Sequence, residues 1–115
     1  MKDDAVLLGL ILDAFGKIRD FVASMTYEDF THDRKTQSAV IMQLEVVGEL
    51  AKRVSDETRG AIDVPWKQMT GLRDLVAHNY FSLDIDIVWR TISESAQVVE
   101  GKIRQHVEGL INGRK

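Results

Sequence analysis

Residues 4–25 read DAVLLGLILDAFGKIRDFVASM, and this stretch decides the fold. Leu7, Ile11, Ala14, Ile18, Phe21 and Met25 fall at alternating spacings of four and three, the pattern of a helix with one apolar seam. Leu8, Leu10, Phe15 and Val22 widen that seam. A stripe so broad has to be buried against more than one neighbour, within the subunit or across a dimer. The periodicity predicts a first helix from Asp4 to Met25, set in a helical bundle.

The same period recurs downstream. Val40, Leu44, Val47, Ala51 and Val54 form the stripe of a second helix, Asp33 to Val54. Between the two, Thr26 to Thr31 is a break. Thr26 with Asp29 resembles a capping box without the usual Glu or Gln, and Tyr27 and Phe30 tuck a short turn onto the bundle. Gly48 costs about 1 kcal/mol against Ala inside a helix, which points to a close helix–helix approach. Glu45 and Glu49 stand one turn apart, an unfavourable like-charge pair. Either one of them has a basic partner elsewhere, or both are solvated.

Ser55 to Gly60 reads as a short helical turn, capped by Ser55 and ended by Gly60. Val64-Pro65-Trp66 starts a central helix, Pro65 to Tyr80, since Pro suits the first helical turn. Asp84 caps a final helix to Ile111, with a seam of Val88 or Trp89, Ile92, Ala96, Val99, Ile103 and Val107. Asn112 and Gly113 stop it, and Arg114 and Lys115 suit the negative end of its dipole. The expected fold is all-α: an up-and-down bundle of four main helices plus a short one, in a single domain over 1–115.

Composition narrows the function classes. The 115 residues are 44% apolar and 29% charged, which argues against disorder. There is no Cys, hence no disulfide framework and no thiolate metal site or nucleophile. The longest apolar run, Ala5 to Leu12, is broken by Gly9 and too short to span a bilayer. Asp3 and Asp4 follow Lys2 directly, unlike the basic start of a secretory signal. Cytoplasm is the expected location. A net charge of −3 leaves no bulk basic footprint for nucleic acid, so contact with RNA would be local.

The chemistry concentrates in Gly71 to Phe81, GLRDLVAHNYF. Arg73, His78 and Tyr80 share this segment, with Leu72, Leu75 and Val76 at helical spacing between them. Arg73 and Tyr80 lie within about 20° on the helical wheel, but His78 is roughly 140° round from Arg73. Convergence on one ligand needs a long reach by Arg73, a loosened helix near Asn79, or a second subunit; the last two are favoured. Arg is a planar fork suited to phosphate, and His is a general acid or base near neutrality. Together they suit metal-independent cleavage of RNA through 2′-hydroxyl attack. The plainer reading of His78 is a dipole contact at a helix C-terminus. His32, His78 and His106 are too scattered for a metal set. Phosphate-loop and dinucleotide motifs are missing, so no cofactor is expected. Trp66 and Trp89 read as core. Tyr80 reads either as core or as an exposed hydroxyl on the Arg73 face. Arg34, Lys52 and Arg53 read as a solvated face or, failing that, a basic rim.

These pieces together resemble the HEPN superfamily, and within it the HepT-like toxins of HepT/MntA (HEPN/MNT) toxin–antitoxin pairs. Glu45-Val-Val-Gly-Glu49-Leu-Ala-Lys52 is similar to the family's E-x-x-G-E-A-x-K stretch, with Leu50 where Ala is usual. Val64-Pro-Trp66, the R-x4-H-x-Y run from Arg73 to Tyr80, and Leu83 to Trp89 follow in the family's order. The resemblance implies a helical bundle that dimerises, bringing two R-x4-H motifs into an interface cleft. It implies a metal-independent RNase toxin acting on RNA, tRNA among its targets, with Arg73 and His78 catalytic and Asp74 supporting. It also implies a partner, an MntA-like nucleotidyltransferase antitoxin that silences the toxin by AMPylation of Tyr80. The alternative is a non-catalytic nucleotide-binding or partner-binding module associated with such a nucleotidyltransferase.

Overall fold

The computed structural model describes residues 3–79 and 84–113, the side chains of 73–79 excepted. Its order is α1 (Asp4–Val22), α2 (Tyr27–Thr31), α3 (Arg34–Arg53), α4 (Asp56–Ala61), α5 (Trp66–Asn79), α6 (Ile85–Arg90), a π-helical turn (Thr91–Ser95) and α7 (Ala96–Gly113). The fold is all-α, with no strand among the described residues. α1, α3, α5 and the composite α6–π–α7 are the long members. Two short helices join them, one more than expected, because Thr26 to Thr31 is itself a helical turn. Thr26 and Asp29 there form the reciprocal cap, Asp serving where Glu or Gln is usual.

α3 occupies the centre and packs against both α1 and α5. Its stripe of Val40, Leu44, Val47, Ala51 and Val54 is buried throughout, and so is Gly48. On α1 the buried residues are Leu7, Leu8, Ile11, Ala14, Phe15 and Ile18. Phe21 departs from the expected seam, with 38% of its surface exposed. The reason lies at the helix end. α1 stops at Val22, three residues early, and Ser24 takes a left-handed φ of 65°. That reversal turns the chain into α2 and carries it off the axis on which Phe21 and Met25 would have shared a seam. Gly60 does not end α4 as expected. It lies inside α4, with no positive φ, and Ile62 follows as the extended C-cap.

The final helix is not uniform. The Ala96 N–H bonds back to the Thr91 carbonyl, five residues away, the pattern of a π-bulge. Val88, Ile92 and Ala96 are all buried, at spacings of four and four. Eight residues of plain α-helix pass two full turns by about 80°; the three share one side of the helix, with the wider turn between the first and the last. Hydroxyls support the bulge: Thr91 Oγ1 donates to the Ile87 carbonyl at 2.8 Å and Ser93 Oγ to the Trp89 carbonyl at 2.7 Å. Trp89 is half-buried beside the seam, its ring 5.1 Å from that of the fully buried Phe30 and 6.1 Å from that of Tyr27.

Two polar junctions set helix directions. Asp4, in the first turn of α1, accepts from the Ser55 hydroxyl, from the Ser55 N–H at 3.1 Å and from the Thr58 hydroxyl at 2.6 Å. The start of α1 therefore sits beside the end of α3, and the two helices are antiparallel. Arg19, near the end of α1, pairs with Glu100 on α7, which also accepts from Arg104 at 2.8 Å. α1 and α7 are antiparallel for the same reason. Glu100 is only 6% exposed.

These junctions carry two predictions. The hydroxyls of Ser55 and Thr58, with the Ser55 N–H, hold the Asp4 carboxyl below its ordinary value of 3.8. A lowered folded-state pKa gives stability that is present above that ordinary value and is lost as pH falls through the folded one. Asp4→Ala should cost about 1–3 kcal/mol at pH 7, and the gap to wild type should narrow in urea melts near pH 3; an equal gap at both pH values would contradict the assignment. The second concerns Glu100, whose arginine partners are 54% and 50% exposed. Those arginines can rehydrate when Glu100 is removed, whereas Glu100 cannot when they are. The Arg19→Ala/Arg104→Ala double variant should lose about 3–5 kcal/mol and Glu100→Leu distinctly less, an order that urea unfolding reads directly.

Candidate functional site

The chain enters α5 through a tight local network. Val64 N–H donates to the Ile62 carbonyl at 2.9 Å and Trp66 N–H to the Val64 carbonyl at 2.8 Å. The Trp66 indole N–H reaches back to the Ile62 carbonyl at 3.0 Å. Pro65 sits one position before the helix, and its carbonyl accepts from Met69 N–H at 3.0 Å. Pro fits there because an N–H at a helix start has no intrahelical acceptor, so its absence costs nothing. Met69 is buried and Leu72 half-buried, which seats α5 along α3.

Arg73, Asp74 and His78 all fall on α5, which is helical through Asn79. Positions 73 and 78 are thus about 140° apart around one continuous helix. Loosening between them is not available as a way to bring them together. A long reach by Arg73 and a second subunit are what remain. The side chains of these three residues, and Tyr80 as a whole, lie outside the described residues.

The surroundings limit the chemistry. A cavity of about 380 Å³ lies under the first half of α5, walled mainly by apolar residues such as Phe15, Leu44, Met69 and Val99, with Gln68 and the uncharged Thr91 and Ser95 also lining it. Walls of that kind do not suit a phosphate. Lys67 is exposed on the first turn of α5, and Lys52 and Arg53 are exposed on the last turn of α3. Arg53 donates to Glu49 at 3.3 Å. Arg34 stands at the other end of α3, about 28 Å away by helical rise, so it cannot share a rim with Lys52 and Arg53. Arg59 serves the fold: its guanidinium donates to the carbonyls of Ala51 and Lys52 at 3.0 and 2.8 Å, closing the end of α3.

Among the described residues no three His, Asp or Glu side chains are grouped to hold a metal ion. His32 is exposed, its Nδ1 2.9 Å from the Glu28 carbonyl, and His106 is half-buried on α7. No helix among the described residues is long and apolar enough to cross a membrane. Sequence reading missed Glu100, the buried carboxylate. Its signal was present in Arg104 one turn on, and in its place between Val99 and Ile103 of the seam.

Comparison with known proteins gives one consistent result. A family model described as ribonuclease HepT-like matches residues 11–106. The chain is 36% identical over 96 residues to a Thermococcus cleftensis protein named as a probable ribonuclease HepT, covering 83% of this chain and 87% of that one. It is 42% identical over 89 residues to a Methanocaldococcus jannaschii protein whose name proposes an RNase, covering 76% and 74%. A Caldanaerobacter subterraneus protein of similar naming is 31% identical over 106 residues, covering 91% and 95%. No solved structure matches the chain.

The entrance of α5 is testable alone. Trp66→Phe keeps an aromatic ring, though a smaller one, and removes the N–H donated to the Ile62 carbonyl. It should lower unfolding free energy by about 1 kcal/mol in urea titration; an unchanged midpoint would mean that the bond does not anchor the helix.

Proposed function

From the premise that this chain belongs to the ribonuclease HepT-like family, we propose that it is a metal-independent endoribonuclease whose active groups are Arg73 and His78. What supports this reading is an intact R-x4-H spacing carried on one continuous helix in a chain whose relatives are named as RNases. His78 takes the proton of an RNA 2′-hydroxyl as that oxygen attacks the adjacent phosphorus. Arg73 stabilises the charge that builds on the non-bridging phosphoryl oxygens. The bond from phosphorus to the 5′-oxygen breaks, and that oxygen receives the proton from the imidazolium. The products are a 2′,3′-cyclic phosphate and a 5′-hydroxyl, so the step balances without a metal. Asp74 supports the site from the position after the arginine.

The proposed working form is a homodimer, in which a second copy supplies what one straight helix cannot bring together. The substrate is RNA, with tRNA the class to try first. The proposed regulator is a nucleotidyltransferase antitoxin that moves AMP from ATP to the Tyr80 hydroxyl, releasing pyrophosphate. An adenylyl group there adds bulk and negative charge, which competes with RNA phosphate for Arg73.

The test uses protein purified without a partner and shown by intact mass to carry no AMP. Incubated with total tRNA in EDTA, wild type should give discrete fragments with cyclic-phosphate ends. Arg73→Ala and His78→Ala should each lose about 10²-fold or more. Failure of unmodified dimeric wild type to cleave would replace this reading with a nucleotide-binding or partner-binding module.

A further inference from the structure

A second cavity, of about 320 Å³, opens where α1 ends and the chain turns away at Ser24. It lies between the last turns of α1 and the start of the α6–π–α7 member. Ile18 and Ile92, both buried, and the half-buried Val22 give it an apolar lining. Arg19 and Gln97, both exposed, are its polar members with Ser93. The volume falls within the range of small-ligand sites, and so does the pattern of apolar walls with a few polar groups. The π-helical turn that supplies Ile92 and Ser93 is a feature frequent at functional sites.

Trp89 gives this cavity its character. Its ring lines the space and is braced from α2 by Phe30 and Tyr27. A braced ring loses little freedom when another ring packs on it. A covered tryptophan N–H usually finds an acceptor, as that of Trp66 does in the Ile62 carbonyl. Among the described residues neither the Trp89 N–H nor the Gln97 amide has a hydrogen-bond partner. Arg19 is the one charged member of the lining, and Glu100 takes its Nη1. The cavity therefore suits a flat, uncharged ring with acceptors along one edge better than it suits a bare anion.

Its place in the bundle is also informative. α1 and α3 are antiparallel, and the short α4 returns the chain so that α5 runs back along α3. The end of α1, the end of α5 and the start of α6 thus share one end of the bundle. Position 78 is on the last turn of α5, at that same end. Resting on the reading that the substrate is RNA, we infer that this cavity is a subsite for one unpaired purine base of that RNA. The base packs on Trp89, as unstacked RNA bases do on aromatic side chains. Its N7, an acceptor that both purines carry and pyrimidines lack, faces the donors of Gln97, Trp89 and Arg19.

The test uses Trp66→Phe protein, in which Trp89 is the remaining tryptophan. AMP or GMP at millimolar concentration should quench its emission saturably, and UMP and CMP should bind about 3–10-fold more weakly. A 2′-O-methyl oligoadenylate, which cannot undergo 2′-oxygen attack, should compete with AMP. Gln97→Ala, at an exposed helical position, should weaken AMP about 3–10-fold, whereas Gln105→Ala, exposed two turns further on, should not. No quenching by nucleotide in the folded protein would overturn the inference. So would displacement of AMP by equimolar inorganic phosphate, the mark of an anion site at Arg19, or failure of the oligonucleotide to compete. Cleavage of tRNA by protein whose Trp89 ignores nucleotide strikes the subsite alone. A full Trp89 response in protein that does not cleave supports the subsite and counts against the proposed reaction alone.

Discussion

α3 has to bury one stripe against two neighbours at once, and the rest of the bundle follows from that. Val40, Leu44, Val47 and Ala51 lie within a few per cent of full burial between α1 and α5. A helix packed on both sides cannot rotate to favour one partner without exposing apolar surface to water. At roughly 25 cal/mol per Å² of apolar area, even a partial rotation is costly. The ends of α3 are held as well. Asp33 caps its start by accepting from Thr36, and Arg59 satisfies carbonyls at its close. The junction of Asp4 with Ser55 and Thr58 then fixes α1 against the turn that follows. With α3 so constrained, the path of α5 along it is constrained too.

That matters for the proposed function, which assigns its chemistry to α5, the same rod as these packing residues. Met69 and Leu72 seat the helix, and Arg73 follows Leu72 directly. A polar group on a packed helix is placed more firmly than one on a loop. The same rigidity imposes a condition: an unbroken helix spreads positions 73 and 78 around its axis. Catalytic use of both groups then calls for a long, oriented guanidinium, a second chain, or both. The acidic balance of the whole chain accords with the proposed local site, since such a site needs no broad basic surface.

The α6–π–α7 member shows a different constraint. Val88, Ile92, Ala96, Val99 and Ile103 all face the core, and a π-helical turn at Thr91–Ser95 interrupts the helix that carries them. Hydroxyls from Thr91 and Ser93 bond carbonyls just before that turn. Just beyond, Glu100 turns inward within reach of Arg19 and Arg104. A buried carboxylate with two half-exposed arginines costs desolvation, and what it contributes in return is a defined register between α1 and α7.

Local chemistry was legible in the chain itself. The apolar stripes named the helices, and Thr26 with Asp29, Ser55 and Asp84 marked helix starts. Those signals act over three or four residues, which is why they can be read without a fold. The R-x4-H spacing was legible for the same reason, and it put Arg73, Asp74 and His78 on α5. Tertiary structure decided what depends on residues far apart. It ended α1 at Val22, and it chose Val88 for the core and the rings of Phe30 and Tyr27 for Trp89. It also turned Glu100 inward to meet an arginine eighty-one positions away. Periodicity states which face of a helix is apolar, but only packing sets which neighbour that face meets and at what rotation, because burial is a property of pairs of elements and not of either one.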